Sequence, residues 1–183
     1  MNTILNVFRL AATQLVNDYV SGKIDLLGFH IALRALIRKT YLTMAIAGYA
    51  PKSPGAIPSW VYLRTANPLK AQYNYLAKFM RDVRDGKVSS GRLLSRVLMY
   101  INSSRQMWWR GKTQFILPAY PGDGSTACKA NCACSWDLKE LYGPTGEVIA
   151  VEATWRLGPT EHCPDCARRA IIWNPIIVRV THA

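Results

Sequence analysis

The chain has 183 residues, half of them hydrophobic, and a formal net charge of +12 at neutral pH. This length and apolar content are enough for a sizeable core, so we expect a folded globular protein. No apolar run approaches the roughly 18 residues of a membrane span, and the first ten residues lack the basic segment of an export signal, which argues against a membrane or secreted protein.

Charge is divided unevenly along the chain. Residues 1–112 carry seventeen Lys and Arg against four Asp and Glu, whereas residues 113–183 carry six against seven. A basic surplus confined to one half predicts a surface for nucleic acid or for an acidic protein. The alternative is a set of solvated helix faces without a partner.

Apolar residues recur every three to four positions through the first half, which predicts helices. The first predicted helix runs from Thr3 to Val20, and the second is capped by Asp25 and ends near Gly48. Three prolines and a glycine between Ala50 and Pro58 predict a loop or linker.

Two further helices are predicted in this half. After a short turn capped by Ser59, Pro68 starts a helix that reaches Arg84. A fourth helix runs from Ser89 or Ser90 to about Arg110.

Arginines lie four residues apart on the second and fourth helices, which places each pair on one side of its helix. The pairs are Arg34 with Arg38 and Arg92 with Arg96, and we predict that they bind polyanions. The Trp108-Trp109 pair near the end of the fourth helix favours packing against a following domain over stacking on bases.

Glycine and proline divide the chain after Lys112 into short pieces, which predicts short strands. Residues 134–141 and 148–156 are predicted to pair across the turn at 143–146. A short helix from Cys166 to Ile172 follows. The apolar stretch Ile171–Val180 either packs on this module or forms an edge strand for a neighbouring subunit.

The predicted fold class is α+β. A basic helical domain, residues 1–112, precedes a small metal-binding module, residues 113–183, which contains a short β-hairpin and a C-terminal strand.

All five cysteines fall in two clusters of the second half. Cys128, Cys132 and Cys134 form the first, and Cys163 and Cys166 form a Cys-x-x-Cys knuckle. Clusters about 30 residues apart can supply four thiolates to a tetrahedral Zn²⁺. An odd count without a secretory signal argues against disulfides, a redox pair would need a βαβ unit, and buried thiols without a metal would not need to cluster.

The cysteine pattern predicts a metal site more firmly than it predicts which cysteines bind the metal. Cys163 and Cys166 form one pair, and two cysteines of the first cluster complete four-coordination. Cys132 is expected to be one of these, with either Cys128 or Cys134 as its partner.

Three segments of the second half carry a resemblance: Leu117–Thr126, the first cysteine cluster with Trp136, and Thr154–Cys166. Together they resemble the C-terminal part of the head-morphogenesis, or minor capsid, proteins of tailed bacteriophages. The helical first half is similar too, with Gln72, Tyr73 and Tyr75 on one helix, so the resemblance spans most of the chain. The family places its Cys-Pro-x-Cys knuckle before a His-x-x-Cys-x-Cys segment. This chain has the reverse order, with Cys128 roughly where the histidine would stand.

The resemblance implies a structural minor head protein, made in the host cytoplasm and located in the virion at or near the portal or the inner capsid. It implies portal, major capsid or other virion proteins as partners, several copies in the assembly, and packaged DNA as a further candidate contact. It brings no catalytic residues.

The residues themselves give little support to an enzyme. A catalytic zinc keeps an open position beside a general base, and Glu161 is the acidic residue next to the knuckle. The His-x-Glu and Pro-Cys-x-x-Cys pattern of deaminases is absent, and we expect no enzymatic activity. The alternative to a virion protein is a stand-alone zinc-dependent DNA-binding or regulatory protein.

Overall fold

The computed structural model describes residues 1–49, 57–129, 132–159 and 161–180. Five helices form the first part of the chain, and the second part contains the strands with one further helix, in agreement with the predicted α+β class. The helices of the first part are α1 (Asn2–Val20), α2 (Leu26–Tyr49), α3 (Ser59–Arg84), α4 (Ser90–Ser103) and α5 (Arg105–Lys112). The second part contains β1 (Ser135–Tyr142), β2 (Val148–Arg156), α6 (Pro164–Ile172) and β3 (Ile176–Arg179). Within the described ranges, no helix is both long and apolar enough to cross a membrane.

Helix α2 lies at the centre of the helical part and contacts α1, α3, α4 and α5. One side of α2 is fully buried because its apolar residues recur every three to four positions. These residues are Phe29, Leu33, Ile37, Tyr41 and Met44. The predicted cap of this helix is confirmed, since the backbone N–H of Gly28 donates to Asp25 Oδ1 at 2.7 Å.

Helix α3 runs without a break from Ser59 to Arg84, so the prediction that a separate helix starts at Pro68 is wrong. A proline inside a helix lacks one hydrogen-bond donor and costs about 3 kcal/mol. Residues of α3 before and after Pro68 are buried along one continuous stripe, and this burial offsets the cost of the proline. The stripe consists of Val61, Thr65, Leu69, Leu76, Phe79 and Met80. Residues 50–56 of the predicted linker lie outside the described residues.

The predicted fourth helix is divided into α4 and α5 at Ser104. The hydroxyl of Ser103 donates to the carbonyl oxygen of Tyr100 at 2.8 Å, and that of Ser104 donates to Ile101 at 2.6 Å. Such bonds compete with the helical hydrogen bonds and bend a helix, which explains why the apolar pattern continues although the helix does not.

The predicted hairpin is confirmed. β1 and β2 pair antiparallel from Ser135 opposite Arg156 to Tyr142 opposite Val148. β3 adds to the other side of β2, which gives the order β1-β2-β3 and leaves β3 at an edge. Side chains of Ile176 and Val178 pack against the second hydrophobic core, so the C-terminal stretch belongs to its own module and is also an edge strand.

Two hydrophobic cores meet at α5. Met107 is buried in the helical core, Trp109 is buried in the core beneath the sheet, and Trp108 packs against both. The prediction that the tryptophan pair anchors the second module is therefore confirmed. The second core also contains three tryptophan rings in mutual contact, Trp136, Trp155 and Trp173.

Candidate metal centre

The β1–β2 hairpin brings the two cysteine clusters together. Cys134 directly precedes β1, and Ser135 pairs with Arg156 at the end of β2, seven residues before Cys163. Cys163 is the N-cap of α6, and Cys166 lies in the first turn of that helix. The sheet register therefore determines which end of the module holds the thiols.

Three sulfurs form a compact group. The Sγ atoms of Cys128, Cys132 and Cys166 all lie within 4.8 Å of one another, and Cys166 Sγ is 3.7 Å from each of the other two. Cys163 extends the group, with its Sγ 3.6 Å from that of Cys128. All five cysteines are free thiols.

These separations match a tetrahedral metal site. Four sulfurs bound at about 2.3 Å to one ion stand about 3.8 Å from each other. The observed 3.6 and 3.7 Å are close to this value and far from the bonded distance of about 2.05 Å in a disulfide. Cys128, Cys132 and Cys166 thus form a cluster that could hold a metal ion, with further thiols beside it.

Cys134 contacts the group differently. Its backbone N–H donates a hydrogen bond to the sulfur of Cys132, and its buried thiol is within hydrogen-bonding reach of Cys166. Neither Cys134 nor Cys163 belongs to the three sulfurs that lie within 4.8 Å of one another, but Cys163 Sγ lies 3.6 Å from Cys128 Sγ. Of the two partners that the sequence left open for Cys132, the geometry favours Cys128.

Burial makes two of these thiols, Cys132 and Cys166, hard to ionise. Burial raises the pKa of Cys132 to about 12. Burial, together with the neighbouring thiols, also raises the pKa of Cys166. Desolvation alone would raise the pKa of Cys163, but hydrogen bonds from the backbone and thiols of Cys166 and Cys128 lower it to about 7. Several thiolates at this spacing need a nearby cation, which a metal ion would provide.

Polar contacts connect the two cysteine segments around the sulfurs. Asp165 Oδ2 accepts the backbone N–H of Ala127 at 2.8 Å. Arg169 Nη2 donates to the carbonyl oxygen of Ser125 at 3.1 Å and to its hydroxyl at 3.0 Å. Because these contacts flank both clusters, they hold the sulfurs together independently of the hairpin.

One residue of the helical part reaches this group from a distant position in the sequence. Arg105, the first residue of α5, donates from Nη1 to the carbonyl oxygen of Cys132 at 3.3 Å. Its guanidinium is close enough to Cys132 and Cys134 for an electrostatic interaction, and its buried Nε has no partner among the described residues. No local sequence pattern predicts this contact, because Arg105 and Cys132 lie 27 positions apart.

The arginines predicted to bind polyanions are all exposed. Arg34 lies over the ring of Tyr73 at 3.9 Å, and Arg96 is 3.7 Å from the carboxylate of Asp82. Tyr73 and Asp82 are nine residues apart on α3, which is two and a half turns and therefore opposite sides of that helix. The two pairs thus approach α3 from opposite flanks, and their role in binding stays a prediction.

The guanidinium groups of Arg38 and Arg92 have no partner among the residues that the structure describes. A second basic surface lies on α3 itself, where Lys70, Lys78 and Arg81 are exposed. The signal that could have found it is the absence of Asp and Glu from Ser59 to Arg81.

Comparison with known proteins adds no relative. No protein family, curated protein or solved structure matches this chain.

Proposed function

We propose that this protein is a structural minor capsid, or head-morphogenesis, protein of a tailed phage, stabilised by one Zn²⁺ and located at or near the portal or the inner capsid. The observation that carries the proposal is the largely buried cluster of Cys128, Cys132 and Cys166, which lies where segments that resemble this family contact one another. The resemblance supports the virion role, and the geometry of the cluster supports the metal.

Zinc is the ion that best fits the donors. An all-sulfur, four-coordinate set at tetrahedral spacing is typical of structural zinc. The proposed ligands are Cys128, Cys132, Cys163 and Cys166, with Cys134 as a hydrogen-bond donor beside them. Four protein ligands would leave no open position for substrate or water, which supports a structural rather than an enzymatic role.

Surfaces for virion partners differ between the two halves. The helical half is basic and suits acidic portal or capsid surfaces or packaged DNA. The second half exposes apolar residues beside the edge strand β3, with Ile171 79% and Ile177 65% accessible. Exposed isoleucines next to an unpaired strand edge suit contact with another virion protein or a further copy of this chain.

The experiment is co-production of the tagged protein with a portal and a major capsid protein from one phage genome. After sedimentation of assembled heads, the proposal requires a fixed number of copies per particle and about one zinc per chain. Protein that remains at the top of the gradient, at any expression level, contradicts the virion role. Elemental analysis that finds less than a third of a metal per folded chain contradicts the zinc site.

The alternative is a stand-alone zinc-dependent DNA-binding or regulatory protein, which the basic helical half favours. The two functions differ in where the protein resides. A regulator would remain with the host or phage chromosome and vary in amount, whereas a head protein would co-purify with particles after nuclease treatment.

A further inference from the structure

A row of five polar residues follows the solvent side of α3. Its members recur at intervals of three and four, which places them on one side of the helix. This outer stripe of α3 consists of Asn67, Lys70, Asn74, Lys78 and Arg81, all exposed. At 1.5 Å per residue it is about 21 Å long.

The three cations of the outer stripe have no partner among the described residues. Neighbouring basic residues do have one: Arg84 and Lys87 both contact Asp85 at 3.1 Å. No Asp or Glu occurs in α3 before Asp82, and Lys78 and Arg81 lie three apart with like charge. Like charges at this spacing destabilise a helix slightly, so the cations of the stripe do not stabilise the fold.

The position of α3 leaves this stripe accessible. Within the described chain α3 makes its main helix contact with α2, and its buried residues all lie on that side. Arg34 and Arg96 flank α3 on its two sides. The outer side of α3 is therefore a ridge of positive charge with further cations on both flanks.

We propose that the outer stripe of α3 binds duplex DNA through the phosphate groups. A protein interface has an apolar centre, whereas the five stripe residues are polar and the exposed Leu63 lies only at the N-terminal end of the same side of α3. Interfaces with DNA are polar and strongly positive, and an α-helix fits the major groove, about 12 Å wide. Asn67 and Asn74 add hydrogen-bond donors without adding negative charge. The inference rests on the proposed function for its partner, since packaged DNA is one of the contacts proposed for the basic half.

The binding is electrostatic and independent of sequence. Each phosphate contact contributes about 0.9 to the slope of log affinity against log salt. Three contacts from Lys70, Lys78 and Arg81 would contribute a slope of about 2.7, which corresponds to a loss of about 40-fold between roughly 50 and 200 mM salt.

The test uses the full chain, loaded with zinc, and random duplexes of about 30 base pairs in fluorescence anisotropy. One variant combines Lys70→Gln, Lys78→Gln and Arg81→Gln; glutamine is a good helix former, so α3 is retained. The control combines Lys139→Gln, Arg168→Gln and Arg179→Gln, which are exposed in the second half and change the net charge equally. Circular dichroism checks that both variants keep their helix content.

The α3 variant is expected to bind DNA at least tenfold more weakly at low salt. Raising the salt from roughly 50 to 200 mM should reduce its affinity by a factor about 40 times smaller than the factor found for the unmodified chain. The control is expected to bind like the unmodified chain. Equal binding of the α3 variant and the unmodified chain overturns the inference, as does absence of DNA binding at low salt. Equal affinity for poly-glutamate of the same charge would assign the stripe to an acidic protein and also overturns it.

Incorporation into heads separates this inference from the proposed function. If the α3 variant still co-sediments with particles but no longer binds DNA, both stand. If the unmodified chain binds DNA through the stripe but never enters particles, the virion role fails and the DNA surface remains.

Discussion

Gly48 on α2 and Gly111 on α5 lie at a single helix crossing, and each faces the backbone of the other helix. A Cβ at Gly48 would lie 2.0 Å from the carbonyl oxygen of Trp108, and a Cβ at Gly111 would lie 2.1 Å from that of Ala45. Any larger side chain at either position would force the helices apart, so the two glycines determine how closely α5, with its tryptophans, approaches the helical core.

Gly48→Ala and Gly111→Ala are each expected to destabilise the protein by about 3 kcal/mol, the upper end of the range for overpacking, because the obstacle is backbone. Urea unfolding followed by circular dichroism measures the change. Gly91→Ala is the control, since a Cβ there meets no atom within 4 Å, and alanine in a helix should add about 0.5 to 1 kcal/mol. Similar stabilities for all three variants would contradict the close approach.

The cysteines are expected to divide into four that bind the metal and one that does not. Cys163→Ser should abolish stoichiometric zinc binding and unfold the second module while the helices persist, because metal binding in comparable sites supplies about 10 kcal/mol of folding energy. Cys134→Ser should keep about one metal per chain. Elemental analysis and the absorption of the cobalt-substituted protein measure both, and loss of metal from Cys134→Ser would place that thiol among the ligands.

Metal affinity is expected to rise with pH. Burial raises the pKa of Cys132 to about 12, so this thiol is protonated at neutral pH in the metal-free chain and must lose its proton on binding. The pKa of Cys163 is lowered to about 7, so below this pH the Cys163 thiol must also release a proton when the metal binds. The affinity should therefore increase about tenfold or more per pH unit from 6 to 8. Calorimetry in buffers of different ionisation enthalpy counts the protons, and a flat profile would contradict the argument.

Arg105→Met is expected to weaken metal binding about tenfold, the order for losing a charge-assisted interaction of about 1.5 kcal/mol. The guanidinium lies beside Cys132 and Cys134, and a four-thiolate zinc centre carries net negative charge. Arg64→Met is the control, because Arg64 donates to the carbonyl oxygen of Gln114 at 2.9 Å at an exposed site. Zinc competition with a chelator should separate the two variants, and equal affinities would mean that Arg105 serves packing alone.

The second module could be predicted in outline because its signals are local. The turn at 143–146 separates two alternating segments, and the register that follows brings the cysteine clusters together. The second ligand from the first cluster could not be chosen from the sequence, because Cys128 and Cys134 lie four residues before and two residues after Cys132, and both are near enough to reach the same ion.

The helical half shows where local signals fail. Pro68 predicts a helix start, but burial against α2 on both of its sides keeps α3 continuous. The division at Ser104 and the contact of Arg105 with Cys132 both depend on packing between distant segments. The outer stripe of α3 was visible as a run without acidic residues, yet only the packing of α3 shows which side faces solvent.

Because α5 contributes to both hydrophobic cores, folding of the second module depends on the order in which the chain is synthesised. Translation completes α1 to α5 before any residue of the sheet, and chains generally fold from the N-terminus as they emerge. Helix α5 is then already packed on α2 when the cysteines leave the ribosome, with the Trp109 side chain, which belongs to the second core, still uncovered. Binding of the proposed zinc would then be the last event of folding, and a cell short of zinc would accumulate chains with folded helices and an exposed Trp109 indole, which proteases could recognise.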